Sequence, residues 1–326
     1  MDFLGFVIIC VKVLVVFSAT MLTVLMMVYA ERRVSAFMQG RLGPNRVGPQ
    51  GLLQPIADGI KFLMKEDIIP AGVNKPIYLL APAMLLIPAL MTFAVIPFGS
   101  TITLFGREVP LQVADLNVGI LYILALTSIG VYGLVLAGWA SNSKYSLIGG
   151  LRSSAQLISY ELAMGLSVVS VILLAGSLKL NVIVEDQQGY LLSWNVFKQP
   201  VAFLIFLVAV FAETNRLPFD LTEAEQELVG GYHTEYSSMK FAMFFTAEYA
   251  NMVTAAALTV TLFFGGWDVP LLNETSMGAL GAILSVLSFI LKTAFFLFLF
   301  IWVRWTFPRF RYDQLMKLGW KVMLPS

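Results

Sequence analysis

Seven apolar runs, at about 3–29, 77–97, 117–138, 157–176, 200–212, 244–264 and 280–303, alternate with polar connections along the 326 residues. A helix that crosses a bilayer needs about 20 mainly apolar residues, because about 30 Å of hydrocarbon must be spanned with every backbone polar group satisfied inside the segment. Repeated seven times, the pattern leaves one fold class open: an all-α polytopic membrane protein, a single integral membrane domain over residues 1–326. Composition agrees, with 58% hydrophobic and only 13% charged residues, against about 25% charged in soluble domains. The run at 200–212 is too short for a full span, so it must borrow flanking residues or be a broken span packed inside protein. The first run has no basic region before it and is too long for a cleaved signal core, so it is expected to stay as an anchor.

Lys and Arg concentrate on cytoplasmic loops. Seven lie in 30–76, two in 139–156, two in 213–243 and five in 304–326. The opposite connections carry three, Arg107, Lys179 and Lys198. Sixteen against three puts the N-terminus outside and these three loops and the C-terminal tail inside. Lys12 and Lys292 fall within spans, where they snorkel or pair in the bundle. The net charge of +1 is segregated by loop and gives no reason to expect a nucleic-acid partner.

The first inner loop opens with Glu31, Arg32 and Arg33 and runs through GRLGPNRVGPQG, Gly40 to Gly51, whose Gly and Pro turn signals preclude one regular element. An amphipathic helix follows: Leu53, Ile56, Ile60 and Leu63 recur at helical spacing while Asp58, Lys61 and Lys65 take another face. Such a helix lies in the interface plane, as a membrane-edge brace or as a wall that contacts a ligand. Loops 98–116 and 177–199 leave no room for a sizeable soluble domain. No P-loop, dinucleotide fingerprint, metal-ligand spacing or nucleophile elbow is present. The single cysteine, Cys10, rules out an internal disulfide or a thiolate-ligated cluster and reads as a small buried hydrophobe. The single histidine, His233, reads as solvent-facing or loop-bracing, with proton handling as the alternative.

Residues 213–248 carry seven carboxylates, Glu213, Asp220, Glu223, Glu225, Glu227, Glu235 and Glu248, against Arg216 and Lys240. Thr222 with Glu225 makes a capping box, and Glu223 suits a first helical position beside the positive end of the dipole. The others lack a local structural account, as does Glu161 in the fourth span. One ionisable residue at a span centre costs about 2.5–3.5 kcal/mol on insertion scales, so such groups point to function. Carboxylates grouped in this way can hold protons near neutral pH and titrate together. A proton path is the natural reading, with passive pairing to Arg and Lys as the other.

Long motifs spread over nearly the whole chain: ERR at Glu31, GRLGPNRVGPQGLLQPIADGIKFLMKED from Gly40, LAP at Leu80, ADLNVGILY from Ala114, AGWASNSKYSLIGGLRSSAQLISYE from Ala137, PFDLTEAEQELVGGYHTEYSSMKF from Pro218, FFGGW from Phe263 and PRFRYDQLMKLGW from Pro308. In these the sequence resembles the membrane H-subunit family of respiratory complex I, counterpart of the mitochondrial chain 1 family. The resemblance implies an eight-helix subunit between a hydrophilic electron-transfer arm and antiporter-like membrane subunits, with the eighth helix beyond Trp320–Pro325. It implies inner loops that face that arm and wall a quinone chamber, with Arg32, Arg33, Arg41, Arg46, Asp58 and Lys61 on the quinone side. Glu161, Glu213, Glu223, Glu225, Glu227, Glu235 and Glu248 would link the chamber to proton channels. Quinone would be a substrate, with no cofactor held by this chain; flavin mononucleotide and iron–sulfur clusters would sit on partner subunits. The expected place is a bacterial inner membrane, N-terminus on the periplasmic side, with the mitochondrial inner membrane as the alternative. A homologous membrane anchor of a hydrogenase or ferredoxin-linked complex, or a lone cation transporter, are the rival readings.

Overall fold

The computed structural model describes residues 3–104, 107–221, 225–270, 272 and 278–326. Twelve helices are described: α1 (Phe3–Met38), α2 (Gln54–Met64), α3 (Lys75–Met91), α4 (Gly119–Ala140), α5 (Lys144–Ala175), α6 (Leu180–Glu185), α7 (Asn195–Lys198), α8 (Pro200–Glu213), α9 (Glu225–Leu228), α10 (Ser238–Phe263), α11 (Ala279–Thr306) and α12 (Tyr312–Lys317). An antiparallel hairpin, β1 (Thr101–Leu104) with β2 (Arg107–Pro110), pairs Thr101 with Pro110 and Ile102 with Val109. The chain is thus an all-α polytopic membrane protein with a small hairpin that the apolar pattern did not announce.

All seven apolar runs fall on helices. α1, α3 with its short extension to Ala94, α4, α5 and α11 are each long and apolar enough to cross a membrane. At a rise of 1.5 Å per residue the 36-residue α1 is roughly 54 Å long. It therefore outruns about 30 Å of hydrocarbon and carries Glu31 to Arg33 on its last turns. α8, with 14 residues, reaches only about 21 Å. It survives because its second half, Phe206 and Ala209 to Ala212, is buried in the bundle rather than facing lipid. α10 spans 26 residues but is diluted by Glu248, Asn251 and several threonines. Packed against α1, α3, α8 and α11, it is buried almost without a break from Ala247 to Phe263, as expected of a helix that shows no polar face to solvent.

Small residues set the closest approaches, as in other membrane bundles. A Cβ on Gly138 of α4 would stand 2.5 Å from the Ser146 carbonyl oxygen at the start of α5. One on Gly149 of α5 would stand 2.8 Å from the backbone of Gly231 and Tyr232. The acid-rich connection after α8 therefore lies directly on α5.

Both lysines within spans brace the hairpin end by donating to carbonyls. Lys12 Nζ reaches the Gln112 carbonyl at 3.0 Å. Lys292 Nζ donates to the carbonyls of Phe264, Gly266 and Asp268 at 2.9, 3.1 and 2.7 Å, placing a cation on the turn that follows α10. Cys10 departs from expectation. It is exposed on α1, because most of the apolar stretch of that helix faces outward rather than into the protein.

Candidate functional site

The amphipathic helix forms as its spacing requires. α2 begins with proline in its first turn, where the missing N–H costs nothing. Its apolar residues Leu53, Ile56, Ile60 and Leu63 remain exposed in the isolated chain, while Asp58 turns back toward α1. Arg32 Nη1 donates to Asp58 Oδ2 at 2.5 Å, Gln54 Nε2 to Oδ1 at 3.4 Å, and Lys61 Nζ lies 3.8 Å from Oδ1. Behind this pair α1, α2, α10 and α11 line a half-open cavity of about 600 Å³. Its walls are mainly apolar, with Val24, Val28, Phe62, Phe241, Phe245 and Trp305, and its polar groups are few: Glu31, Arg32, Asp58, Tyr249 and Arg304 among them. Volume and composition match a pocket for an apolar ligand with a polar head, for which about 300–1,000 Å³ is usual.

The remaining basic candidates stand elsewhere. Arg33 donates to the Tyr29 hydroxyl at 3.1 Å and to the Gln50 carbonyl at 2.5 Å, tying the Gly/Pro-rich loop to α1. Arg41 pairs with Gln39 on the exposed loop, and Arg46 is exposed there too.

In the wall of the large cavity lies a buried carboxylate. Glu31 accepts from the Tyr249 hydroxyl at 2.6 Å, from Arg216 Nη1 at 3.3 and 3.4 Å, and from Arg304 Nη1. The Arg216 guanidinium also sits 4.4 Å from the centre of the Tyr249 ring. Burial works against the charge of Arg216, but Glu31 beside it, then Tyr249 and Glu248, outweigh burial and hold it above the ordinary arginine range. Sequence reading grouped Glu31 with the two arginines after it. The available signal was rotational: Thr20, Val24, Met27, Glu31 and Ser35 form the buried stripe of α1, whereas Arg32, about 100° further round the helix, is exposed.

Beyond this cluster the acids of three helices meet. Glu161 of α5, Glu213 of α8 and Glu248 of α10 line a single cavity of about 30 Å³ with Thr127, Asn215 and Asn251. That is room for a water or two, since one water needs about 10–15 Å³ by this measure. Ser128 donates to Glu161 Oε1, and the Tyr232 hydroxyl donates to Glu248 Oε1 at 3.0 Å. A second cavity of about 40 Å³, lined by Asn215, Arg216, Asp220, Phe245, Glu248 and Arg304, lies between this one and the large cavity. It shares Phe245 and Arg304 with the large cavity and Asn215 and Glu248 with the acid-lined one. A third, of about 20 Å³, shares Glu213, Thr127 and Asn251 and adds Thr254 and Leu258 further along α10.

Glu227 and Glu235 of the expected set line none of these cavities. Glu227 is exposed and pairs with Arg152 at 2.6 Å. Glu235 accepts through its backbone carbonyl from the Tyr78 hydroxyl at 2.7 Å. Thr222 and Glu223, and with them the capping box, fall outside the described residues, as does the side chain of Glu225. Asp220 pairs with Arg309 of the tail at 2.7 Å. His233 is half-buried and packed edge-on by Tyr232 and Phe241, at 5.0 and 5.1 Å between ring centres, which makes it a brace of the loop.

The chain is similar to known proteins over nearly all of its length. The family described as NADH dehydrogenase matches residues 11–326. Similar relatives include NADH-quinone oxidoreductase subunit 8 of Rhodothermus marinus, 59% identical over 95% of this chain and 91% of the relative. The NADH-quinone oxidoreductase H-subunit of Salinibacter ruber is 57% identical over 95% and 90%, and an H-subunit of Geobacter metallireducens is 57% identical over 96% and 90%.

Proposed function

The chain belongs to the NADH dehydrogenase family, and from that premise we propose that it is the membrane subunit of an NADH-quinone oxidoreductase that walls the quinone chamber and couples quinone reduction to proton translocation. The observation that carries this reading is the sharing of walls. A cavity of about 600 Å³ suited to a quinone meets a small cavity at Phe245 and Arg304, and that cavity meets one holding Glu161, Glu213 and Glu248.

The quinone ring and its isoprenoid tail occupy the apolar walls, with Arg32, Asp58 and Lys61 by the path. Arg33, Arg41 and Arg46 organise the loop against the hydrophilic arm, in company with the loops at 139–156 and 213–243 and the tail at 304–326. Reduction of a quinone to a quinol takes up two electrons and two protons, and the electrons would be supplied by flavin and iron–sulfur groups held on partner subunits. The change of charge in the chamber alters the coupled protonation of the carboxylates. Glu161, Glu213, Glu223, Glu225, Glu227, Glu235 and Glu248 form the link from the chamber to proton channels towards antiporter-like subunits, a reading supported by the cavity that Glu161, Glu213 and Glu248 share. The family resemblance and the positive-inside count support a bacterial inner membrane with the N-terminus on the periplasmic side.

The test is isolation of the native assembly through a tag on this chain. Flavin, iron–sulfur signals and inhibitor-sensitive NADH-to-quinone turnover in the same particle are the expected result. Iron–sulfur signals with hydrogenase activity and no NADH oxidation would move the chain to a hydrogenase anchor, and no redox partner at all would overturn the reading.

A further inference from the structure

We infer that Glu31 is the positioning residue of the partition between the quinone cavity and the acid-lined cavities, holding Arg304 and Arg216 so that charge on one side is felt on the other. The inference rests on the proposed function and adds to it a residue outside the carboxylate series. Glu31 is only 7% exposed and joins four parts of the chain: its own helix α1, the connection after α8 through Arg216, α10 through Tyr249, and α11 through Arg304. Glu31 and Tyr249 line the large cavity, Arg216 lines the small one, and Arg304 lines both.

One carboxylate is therefore shared between two guanidiniums. Arg216 gives Glu31 one of its nitrogens, while Nε and Nη2 are buried without a hydrogen-bond partner. A buried charged donor left unmatched is costly. An oxyanion formed on quinone in the large cavity draws Arg304 towards it. Glu31 then falls wholly to Arg216, and the field that Arg216 exerts on Glu248 and Asp220 across the small cavity changes. Only ion pairs are exchanged, with no covalent step.

The assembled enzyme in sealed vesicles, given NADH and a short-chain quinone, tests this through the ratio of protons moved to electrons passed. In Glu31→Gln this ratio falls, and coupled turnover drops about tenfold, the effect of losing one hydrogen bond to a charged group. Glu31→Asp, which keeps the charge, recovers part of the ratio. Tyr249→Phe keeps the ring against Arg216 and loses the 2.6 Å bond to Glu31, and it lowers the ratio by less; if Glu31→Gln fails to assemble, this variant decides. Parental ratios in the variants that assemble would overturn the inference. Glu213→Gln run beside them separates the two failures: a loss there with parental ratios at Glu31 and Tyr249 defeats this inference alone, and no loss at Glu213 either defeats the acid path.

Discussion

Tyr78 of α3 and Tyr236, just before α10, stack face to face with ring centres 4.1 Å apart and planes 6° from parallel. Each hydroxyl is also spent on the other's backbone neighbourhood. Tyr78 donates to the Glu235 carbonyl at 2.7 Å and Tyr236 to the Tyr78 carbonyl at 3.2 Å. The pair clamps the acid-rich connection onto α3, and Lys240 closes it from the side, 5.2 Å from the Tyr78 ring and 2.6 Å from Asp67.

Tyr78→Phe keeps the stack and strips the Glu235 carbonyl of its donor. A buried group left unsatisfied costs about 1–3 kcal/mol, here confined to one loop. Faster amide hydrogen exchange across residues 229–237 with an unchanged rate in α4 is the expected outcome.

Gly149→Ala brings a Cβ to 2.8 Å from the backbone of Gly231 and Tyr232, which no side-chain rotation relieves. Displacement of Tyr232 takes the hydroxyl away from Glu248. The variant should lose coupled turnover or assembly, whereas Gly165→Ala on the same helix, with nothing within 4 Å of the new Cβ, should behave as the parent. Native gels and turnover assays check both.

Gln156→Leu removes an amide that donates to the carbonyls of Ala212 and Phe219 at 2.8 Å each. These carbonyls flank the stretch that carries Glu213 and Arg216. Each carbonyl keeps a backbone donor, the Asn215 N–H on Ala212 and the Leu221 N–H on Phe219, so the loss is about 0.5–1.5 kcal/mol for each bond; the complex should lose thermal stability, and its proton-to-electron ratio should fall with it.

Asp58→Asn removes the charge that gathers Arg32 and Lys61 beside the large cavity. The apparent KM for quinone should rise clearly. Lys61→Ala should change it by less than about fivefold, because Lys61 is 64% exposed and such pairs contribute about 1 kcal/mol at most. Quinone titrations of the two variants compare them directly, and no change in KM or turnover for Lys61→Ala would remove Lys61 from the quinone path.

Spans, the amphipathic α2 and the short α8 were legible because each depends on local hydrophobic periodicity, which the chain carries residue by residue. The meeting of Glu161, Glu213 and Glu248 was legible only as chemistry. Their acidity in apolar runs marked them, but it takes the packing of α5, α8 and α10 to put them on one cavity. Glu31 was hidden by its neighbours, since proximity in sequence joined it to Arg32 while helix rotation separated them. The hairpin at 101–110 eluded periodicity because four-residue strands in a short loop carry too little pattern. Cys10 misled for a different reason: in a membrane an apolar side chain gains nothing from the protein interior that lipid does not already supply.

The central claim is that the carboxylates of this chain carry the proton traffic coupled to quinone reduction, and the most direct measurement is the ratio of protons translocated to electrons passed in sealed vesicles bearing Glu161→Gln or Glu213→Gln enzyme. Each substitution keeps the shape and removes the charge. A ratio well below that of the parent in both variants is the predicted result; parental ratios in both would contradict the account.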